Sequence, residues 1–257
     1  MKVVILVKEV PDTYAERQLN HETGLADRDA NDRVLDEIGE RAVEVAVSYA
    51  ESHPDTEVTV LTMGPQTVPT TLRKALAMGA TSGFHVLDDA LLGADLTLTA
   101  EALAKAVERI GFDLIIAGDV STDGNAGVIP AMLAEHLGIA HATALTSLEI
   151  SETDIGGERE INGGTITLTA SLPAIVSITE RLPDARFPSF KGIMAAKKKS
   201  IVTVDLADLG IDADADVPRS ITIAVSAKPA RSAGIKIVDD GNAGQQLADY
   251  LVQNRLV

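Results

Sequence analysis

The chain has 257 residues, of which 46% are hydrophobic and 23% charged, so it is long enough and apolar enough to bury a substantial core. Its formal net charge of −16 and its aromatic content of 3% argue against a nucleic-acid-binding protein, which needs a basic face and stacking rings. The chain contains no cysteine, which excludes disulfides, thiolate metal sites and cysteine nucleophiles.

The chain begins with the strand-like run "MKVVILVKEV", which has a short apolar core and lacks the small-residue cleavage pattern of a signal peptide. No apolar run along the sequence approaches the length needed to span a bilayer. We therefore expect a soluble, cytoplasmic protein.

Strand and helix signals alternate along the first 140 residues. In chain order we predict a strand at 3–7, a polar loop at 11–33, a helix around 43–50, a strand at 57–63, a helix at 68–79, a strand at 83–87, a helix at 96–110, a strand at 113–118 and a helix at 129–137. This alternation predicts an α/β fold with an open, mostly parallel, Rossmann-like sheet and helices on both faces.

The pattern changes after residue 140. Four consecutive strands are predicted at 142–150, 158–161, 164–171 and 173–179, and Asn162–Gly163–Gly164 has the composition of a tight hairpin turn. From residue 181 the chain is predicted to be irregular, first basic and then acidic, before a strand at 234–238 and a helix at about 240–254. These segments predict extra antiparallel strands and an extended C-terminal arm that packs on something else.

Three loops are predicted to meet at the carboxyl edge of the sheet, where open α/β sheets bind ligands. The first follows Val7, the second comprises residues 63–65, and the third comprises residues 118–127 ("GDVSTDGNAG"). In the third loop Gly124 and Gly127 permit sharp turns, and its backbone N–H groups suit a phosphate. Asp119 and Asp123 would repel that phosphate, so ribose hydroxyls suit them better. The spacing matches neither a P-loop nor G-x-G-x-x-G, so the pattern alone leaves both a nucleotide site and a plain turn open, with a metal site at the two aspartates as the weaker alternative.

No catalytic set is visible in the sequence. The histidines are scattered, and His85 and His136 have apolar neighbours that favour structural roles. Nothing marks a nucleophile elbow. A nucleotide-binding fold without an acid, a base or a nucleophile points to carriage or regulation and not to an enzyme.

Seven stretches, in this order along the chain, resemble the beta subunits of electron transfer flavoproteins. They are "VKEVPDT" (7–13), "ERAVEVAV" (40–47), "VTVLTMGP" (58–65), "LRKALAMGA" (72–80), "EREINGG" (158–164), "LPAIVSITERL" (172–182) and "FPSFKGIMAAKKK" (187–199). The resemblance implies a heterodimer with an alpha subunit that holds most of the FAD, while AMP lies in this chain. It also implies electron transfer from acyl-CoA and related dehydrogenases, as in fatty-acid oxidation, to a membrane quinone reductase. On this basis residues 1–183 form the nucleotide-binding domain, and residues 184–257 form a partner-recognition loop and an arm that packs on the alpha subunit.

The resemblance also implies site residues by position. The AMP contacts would be Leu6, Asp36, Glu37, Ile38, Gly39, Met63, Ser121, Thr122, Asp123, Gly124, Asn125, Ala126, Gly127, Val128 and Met132. The contribution facing FAD would come from around Ile38, with Tyr14. Two departures stand out: this chain has Asp36-Glu37-Ile38 where the family often has Asn-Pro-Phe, and "GNAGVIPAM" where the family loop commonly has Gln, then Thr or Val, then Gly.

The basic and apolar segment 185–199 is implied to recognise partners. Phe190 would be an apolar anchor that enters a pocket of a dehydrogenase, and Lys197, Lys198 and Lys199 would steer acidic partners. Glu160 would pair with the alpha subunit. The alternatives are a buried Phe190 with a solvated lysine face, and a Glu160 that is an ordinary surface carboxylate.

A second functional class shares this kind of sheet. An adenine-nucleotide-binding regulatory protein of the universal-stress type would form homodimers and would not need residues 180–257. An adenylating ligase is a weaker alternative, because the sequence has no recognisable phosphate loop with a catalytic cation.

Overall fold

The computed structural model describes residues 1–14, 16, 18–215, 219–227, 229–231 and 233–257. These residues form two compact units, Met1–Ile223 and Ala224–Val257. None of the described helices is long and apolar enough to cross a membrane.

The described residues form twelve strands and six α-helices. The strands are β1 (Lys2–Leu6), β2 (Glu9–Pro11), β3 (Arg33–Leu35), β4 (Glu57–Met63), β5 (Ser82–Val86), β6 (Leu114–Gly118), β7 (Ala140–Leu145), β8 (Ser147–Ile150), β9 (Asp154–Ile161), β10 (Gly164–Ser171), β11 (Ala174–Ile178) and β12 (Ile201–Val204). The helices are α1 (Glu37–Ser52), α2 (Val68–Met78), α3 (Leu96–Ile110), α4 (Ile129–Leu137), α5 (Phe190–Ala196) and α6 (Ala243–Gln253).

The first unit is built on a seven-stranded sheet, in the order β12-β5-β4-β1-β6-β11-β7 within the described residues. Every neighbouring pair in this sheet is parallel. Its central strands read as continuous apolar runs, such as "KVVIL" in β1 and "LIIAG" in β6, because both faces of the sheet are covered. The predicted fold class is confirmed.

Helices cover both faces of this sheet, as the alternating pattern predicted. On one face α1 and α2 bury residues such as Val43 and Leu72 against the strands. On the other face α3 and α4 bury residues such as Leu103 and Leu133. The two cores share the sheet, and removal of either set of apolar side chains from water stabilises the whole unit.

A small antiparallel sheet, β10-β9-β8, projects from the chain between β7 and β11. Its predicted hairpin is confirmed, since Ile161 pairs with Gly164 across a two-residue turn at Asn162–Gly163. The single strand predicted at 142–150 is wrong. That segment divides into β7, which joins the parallel sheet beside β11, and β8, which pairs with β9 in the small sheet.

The polar stretch 11–33 is largely the irregular loop that was predicted, although Ala15 and Arg17 lie outside the described residues. Its two ends are paired, because β2 and β3 form an antiparallel ladder with Val10 opposite Val34. The pairing brings the end of the loop back to the end of β1, beside the start of α1.

Two elements occur where an irregular chain was predicted after residue 181. The helix α5 packs against α2, and β12 pairs with β5 to extend the main sheet, with Val202 opposite Phe84. Both elements are short, seven and four residues, so neither gives a sustained periodic pattern. The predicted functional boundary after residue 183 stays a prediction.

The described residues of the second unit that precede α6 are irregular. The helix α6 confirms the helix predicted at about 240–254. The strand predicted at 234–238 is wrong. Those residues are irregular, and Ile235 is 79% exposed, because an extended apolar segment becomes a strand only when another strand supplies hydrogen-bond partners. The described residues of this unit are exposed or half-buried, and its packing on another chain stays a prediction.

Candidate functional site

A cavity of about 470 Å³ lies at the carboxyl edge of the main sheet. The strand order explains its place. The chain runs from β1 to β4 to β5 in one direction, and β6 then lies on the opposite side of β1, so the order reverses between β1 and β6. The cavity opens at this reversal, where doubly wound sheets bind ligands, and its volume is typical of small-molecule sites.

The structure brings most of the predicted nucleotide contacts together around this cavity. Those that line it are Leu6, Asp36, Ile38, Gly39, Met63, Ser121, Gly124, Ala126 and Gly127. The predicted contacts outside the lining are Glu37, Thr122, Asp123, Asn125, Val128 and Met132. Thr122 still contributes through its backbone, and Asp123 through an ion-pair cluster.

Part of the cavity wall was missed from the sequence. The segment just before α3 and the first half of that helix supply Ala94, Leu96, Thr99 and Leu103, and the segment just after β1 supplies Lys8. The α3 residues are small or apolar, and they repeat at the spacing of any buried helix face. Sequence periodicity assigns such residues to the core and carries no signal that one end of the face lines a cavity.

Asp36 is the most unusual polar residue of the wall. It directly precedes α1 and is 2% exposed. Its Oδ2 accepts a hydrogen bond from the Thr122 backbone N–H at 2.9 Å, whereas its Oδ1 is buried without a hydrogen-bond partner in the described chain. Burial raises the pKa of Asp36 above its ordinary value, against the opposing hydrogen bond from Thr122. A buried acceptor left free in a cavity wall is suited to a ligand N–H or O–H group.

Asp123 belongs to an ion-pair cluster behind the loop. Lys8 Nζ lies 2.7 Å from one carboxylate oxygen, and an Arg28 terminal nitrogen lies 2.6 Å from the other. Burial alone would raise the pKa of Asp123, but these two cations hold it well below its usual range. The expectation that Asp123 repels a phosphate is therefore corrected, because two protein cations neutralise its charge and occupy its oxygens.

The loop 118–127 has the sharp turns that its glycines predicted. Gly127 has φ of 65°, in the left-handed region, and a Cβ on Gly118 would lie 2.5 Å from Ile38 Cγ2. Asp119 accepts a hydrogen bond from the Val120 N–H at 2.7 Å, and burial raises its pKa, with the charge of Glu180 acting in the same direction. The tight contact at Gly118 places Ile38 on the cavity wall.

The loop leads into the N-terminus of α4. Within the described structure, the backbone N–H groups of residues 126–128 make no hydrogen bond to the protein, and Met132 N–H already donates to the Val128 carbonyl at 3.0 Å. Unpaired N–H groups at a helix start carry partial positive charge and favour an anion. The cavity thus combines apolar walls, one buried acceptor and a set of free donors.

The histidines have no catalytic arrangement. His85 is buried in β5, where its Nε2 donates to the Gly64 carbonyl at 2.8 Å, which confirms its predicted structural role. His136 is exposed on α4, so the packed environment predicted for it is wrong. Over the described ranges, no group of three or more His, Cys, Asp or Glu side chains has the geometry of a metal site.

The predicted recognition segment presents its aromatic residues to solvent. Phe187 is 96% exposed and Phe190, the first residue of α5, is 81% exposed, so the alternative that Phe190 is buried in the core is wrong. Lys197 and Lys198 are also exposed. The expectation that Lys199 steers partners is wrong, since its Nζ donates to the Leu76 and Ala80 carbonyls at 2.9 and 2.6 Å and burial lowers its pKa.

The remaining predicted contacts are on the surface. Glu160, at the end of β9, lies 3.7 Å from the Arg181 guanidinium, and both side chains are more than half exposed, so this pair adds little to stability. Tyr14 is 97% exposed. Their predicted roles toward the alpha subunit and FAD stay predictions.

Comparison with known proteins agrees with the recognised motifs. Residues 23–209 match the family described as electron transfer flavoprotein domain. "Electron transfer flavoprotein subunit beta" of Mycobacterium tuberculosis (strain ATCC 25618 / H37Rv) is 45% identical, over 99% of each chain. The proteins of the same name from Bacillus subtilis (strain 168) and Megasphaera elsdenii are 34% identical over 91% of this chain and 90% of theirs, and 28% identical over 100% of each. The chain therefore belongs to the electron transfer flavoprotein family, as a homologue of its beta subunits.

Proposed function

We propose that this chain is the beta subunit of a heterodimeric electron transfer flavoprotein. It pairs with an alpha subunit that holds most of a shared FAD, accepts electrons from acyl-CoA and related dehydrogenases, and passes them to a membrane quinone reductase from the cytoplasm. The observation that carries the proposal is the 45% identity to beta subunits over 99% of the chain.

Bound FAD supplies the redox chemistry, since a flavin takes up and releases electrons one or two at a time. This chain contributes surfaces that face that group. The Tyr14 ring, 97% exposed, is available to a group held by the alpha subunit. Ile38 lies against Gly118 on the wall of the cavity, so its influence on the flavin runs through the position of the start of α1.

The cavity is proposed to hold AMP. Leu6, Met63 and Leu103 give it apolar walls for a nucleobase, and the buried Oδ1 of Asp36 accepts an N–H or O–H of the nucleotide. The free N–H groups at the start of α4 suit its phosphate. The role of the nucleotide is proposed to be structural, as the family resemblance implies.

Electron donors are proposed to dock on the exposed apolar residues of the segment 186–199. Burial of one aromatic side chain in a partner contributes roughly 1.5–3 kcal/mol, which supports a transient contact with fast release. Replacement of the anchor by Phe190→Ala should therefore slow electron transfer from a dehydrogenase by roughly 10- to 100-fold, with unchanged FAD content. Steady-state reduction of the heterodimer by an acyl-CoA dehydrogenase measures the rate. Equal rates in the parent and in the Phe190→Ala heterodimer would exclude Phe190 as the anchor.

The subunit assignment is tested by co-expression. The chain produced with an alpha subunit from the same organism should purify as a yellow heterodimer with one FAD, and the chain produced alone should be colourless. An isolated chain that binds FAD tightly and accepts electrons unaided would contradict the proposal. Truncation after Ile223 removes only the second unit, and loss of the heterodimer in that variant would assign alpha-subunit binding to the C-terminal arm.

A further inference from the structure

The segment 186–199, called here the docking segment, is attached to the body of the first unit at both ends. Its N-terminal attachment is Arg186. The guanidinium Nε and a terminal nitrogen donate to the two carboxylate oxygens of Glu44 at 2.7 and 2.8 Å, and the same terminal nitrogen donates to Ser48 Oγ at 3.0 Å. The Arg186 backbone N–H also donates to Glu44 at 3.0 Å, and Glu51 completes the set with a further ion pair. All three partners lie on α1.

This attachment is bidentate and partly buried, which separates it from ordinary surface ion pairs. The Glu44 side chain is 14% exposed and that of Arg186 is 30% exposed. The hydrogen bonds from Arg186 lower the pKa of Glu44 to about 2, so the carboxylate stays ionised across the physiological range. The planar guanidinium forms paired hydrogen bonds with a carboxylate that a lysine ammonium does not reproduce.

The C-terminal attachment is a reciprocal exchange between α2 and the end of α5. An Arg73 terminal nitrogen, from α2, donates to the carbonyls of Ala196 and Lys199 at 2.5 and 2.7 Å. In return the Lys199 ammonium donates to the carbonyls of Leu76 and Ala80 at 2.9 and 2.6 Å. The last carbonyls of a helix have no partner within that helix. Arg73 therefore donates to carbonyls at the end of α5, and Lys199 donates to carbonyls at the end of α2.

Between the two attachments α5 lies directly on α2. A Cβ on Gly192 would be 2.3 Å from the Ala77 carbonyl oxygen, so the backbones approach as closely as a glycine permits. Ser189 caps the helix, as its Oγ accepts from the Gly192 N–H at 3.0 Å. Ala196 is buried against the same side. The inner side of α5 is therefore fixed by backbone contact, by its cap and by both attachments.

The outer side of the docking segment carries the exposed apolar residues. Phe190, Ile193 and Met194 follow the i, i+3, i+4 spacing of one helix face, and they are 81%, 45% and 47% exposed. Phe187 lies one turn before them and is 96% exposed. The charges of the segment that have partners face the body. Phe187, Phe190 and Met194 face solvent, whereas the half-exposed Ile193 also lines a groove against α2.

We propose that Arg186, Arg73 and Lys199 are positioning residues that hold the docking segment in its partner-binding conformation before the partner arrives. This inference rests on the proposed function, in which donor dehydrogenases dock on the segment. A face that is already ordered loses less conformational entropy on binding, so an anchored segment binds more tightly than the same residues on a loose loop. The three residues act through α5 and not through contact with the partner.

The test compares Arg186→Ala, Glu44→Gln and the double variant in the intact heterodimer, with FAD bound. Because Arg186 acts through Glu44, each single variant should raise the KM for the heterodimer in reduction by an acyl-CoA dehydrogenase, roughly tenfold for Arg186→Ala, with kcat and FAD content unchanged. In the double variant the fold-increase in KM should be smaller than the product of the fold-increases in the two single variants. Lys105→Ala removes a cation of an exposed pair on α3 and is the matched control, for which no change is expected.

A second readout reports on the segment itself. Amide hydrogen exchange of residues 187–196 should accelerate in Arg186→Ala and Glu44→Gln while the main-sheet strands keep their protection. Unchanged exchange and unchanged KM in both variants would overturn the proposal. If Arg186→Ala fails to fold, Glu44→Gln decides alone, since it keeps the shape of the side chain while it removes the charge and replaces one acceptor oxygen by an N–H donor.

The proposed function and this inference fail in different ways. If Phe190→Ala leaves the transfer rate unchanged, Phe190 is not the anchor, and the proposed docking of donors through this residue is wrong. If Phe190→Ala slows transfer while Arg186→Ala and Glu44→Gln leave KM and exchange unchanged, docking stands and the positioning role is overturned.

Discussion

The cavity and the docking segment combine the same kinds of residue in opposite arrangements. In the cavity the apolar side chains point inward, and the carboxylate of Asp36 keeps one buried oxygen without a partner in the described structure. In the docking segment the apolar side chains point outward, and the cations Arg186 and Lys199 are hydrogen-bonded to the body. The difference supports the two proposals in opposite ways. The buried oxygen without a partner supports a ligand site at the cavity, and the satisfied charges beneath an apolar face support a scaffold for docking.

Two carboxylates near the start of α1 show this difference most directly. Asp36 precedes the helix and Glu44 lies about two turns further along it. Burial raises the pKa of Asp36, whereas the hydrogen bonds from Arg186 lower the pKa of Glu44 to about 2. The same helix thus presents a carboxylate that is costly to ionise toward the cavity and a permanently ionised one toward the docking segment.

The largest expected effect concerns the scaffold. Gly192→Ala adds a Cβ at 2.3 Å from the Ala77 carbonyl oxygen, and neither backbone is free to move away without loss of the attachments at both ends. Alanine has the better helix propensity, so any loss of stability must come from this contact. We expect the free energy of unfolding to fall by about 1–3 kcal/mol, measured by urea denaturation of the isolated chain.

Gly244→Ala is the matched control for that variant. Gly244 is also in the first turn of a short helix, α6, but no atom of the described residues lies within 4 Å of the Cβ that would be added. This substitution should leave the stability unchanged or raise it by a few tenths of a kcal/mol. A Gly192→Ala chain as stable as the parent, with unchanged exchange in α5, would show that α5 is loosely seated and would remove the contrast drawn here.

The place of the cavity followed from the sequence, because parallel strands end on the same edge of a sheet. The apolar runs before Leu6 and Met63 and the glycine-rich turn at 118–127 were sufficient to predict which loops meet. What the sequence did not reveal was pairing over long separations. Asp123 is held by Lys8, 115 residues earlier, so the local reading of a free carboxylate near a phosphate was wrong.

The docking segment is a second region in which the sequence did not reveal contacts between residues far apart in the chain. Its exposure was predicted only through the family motif, since the spacing of Phe190, Ile193 and Met194 also suits a buried face. Lys199 was expected to steer acidic partners, yet its ammonium donates to the Leu76 carbonyl, 123 residues away. Arg186 lies in the same basic segment, and its partner Glu44 is 142 residues away. A composition count does not distinguish a cation that holds the fold from one that faces solvent.

A smaller effect is expected at the cavity. Asp36→Asn keeps an oxygen for the Thr122 N–H and removes the charge. A carboxyl whose pKa is raised by folding contributes stability when protonated and loses it as pH rises through the folded-state pKa, so ionised Asp36 is unfavourable at neutral pH. The AMP-free variant should therefore be more stable than the parent by about 1 kcal/mol at pH 7, and this advantage should shrink as pH falls toward the ordinary value of 3.8.

Thermal unfolding without AMP measures the stability of the two proteins, and thermal unfolding with added AMP measures how much the nucleotide stabilises each of them. If Asp36 Oδ1 accepts a hydrogen bond from the nucleotide, AMP should stabilise the parent more than Asp36→Asn, since the amide presents a donor where the ligand also has one. Asp89→Asn, at an exposed carboxylate, is the control and should change neither quantity. An Asn variant less stable than the parent at pH 7 would mean that the ionised carboxylate has an unrecognised partner.

The smallest effect is expected for the cations that are proposed to attract acidic partners, in contrast to those that are proposed to hold the docking segment in place. Lys197 and Lys198 are exposed, so their attraction to an acidic dehydrogenase is screened within about 10 Å at 0.1 M salt and about 3 Å at 1 M. The double variant Lys197→Ala/Lys198→Ala should therefore lower the second-order rate of reduction roughly two- to fivefold at low salt and leave it unchanged near 1 M. The Arg186→Ala effect should persist at high salt, because its ion pair is partly buried and its consequence is the order of α5. A salt-independent loss in the lysine variant would mean that these ammonium groups contact the partner directly, and the division of the segment into an anchoring and a steering set of charges would then have to be redrawn.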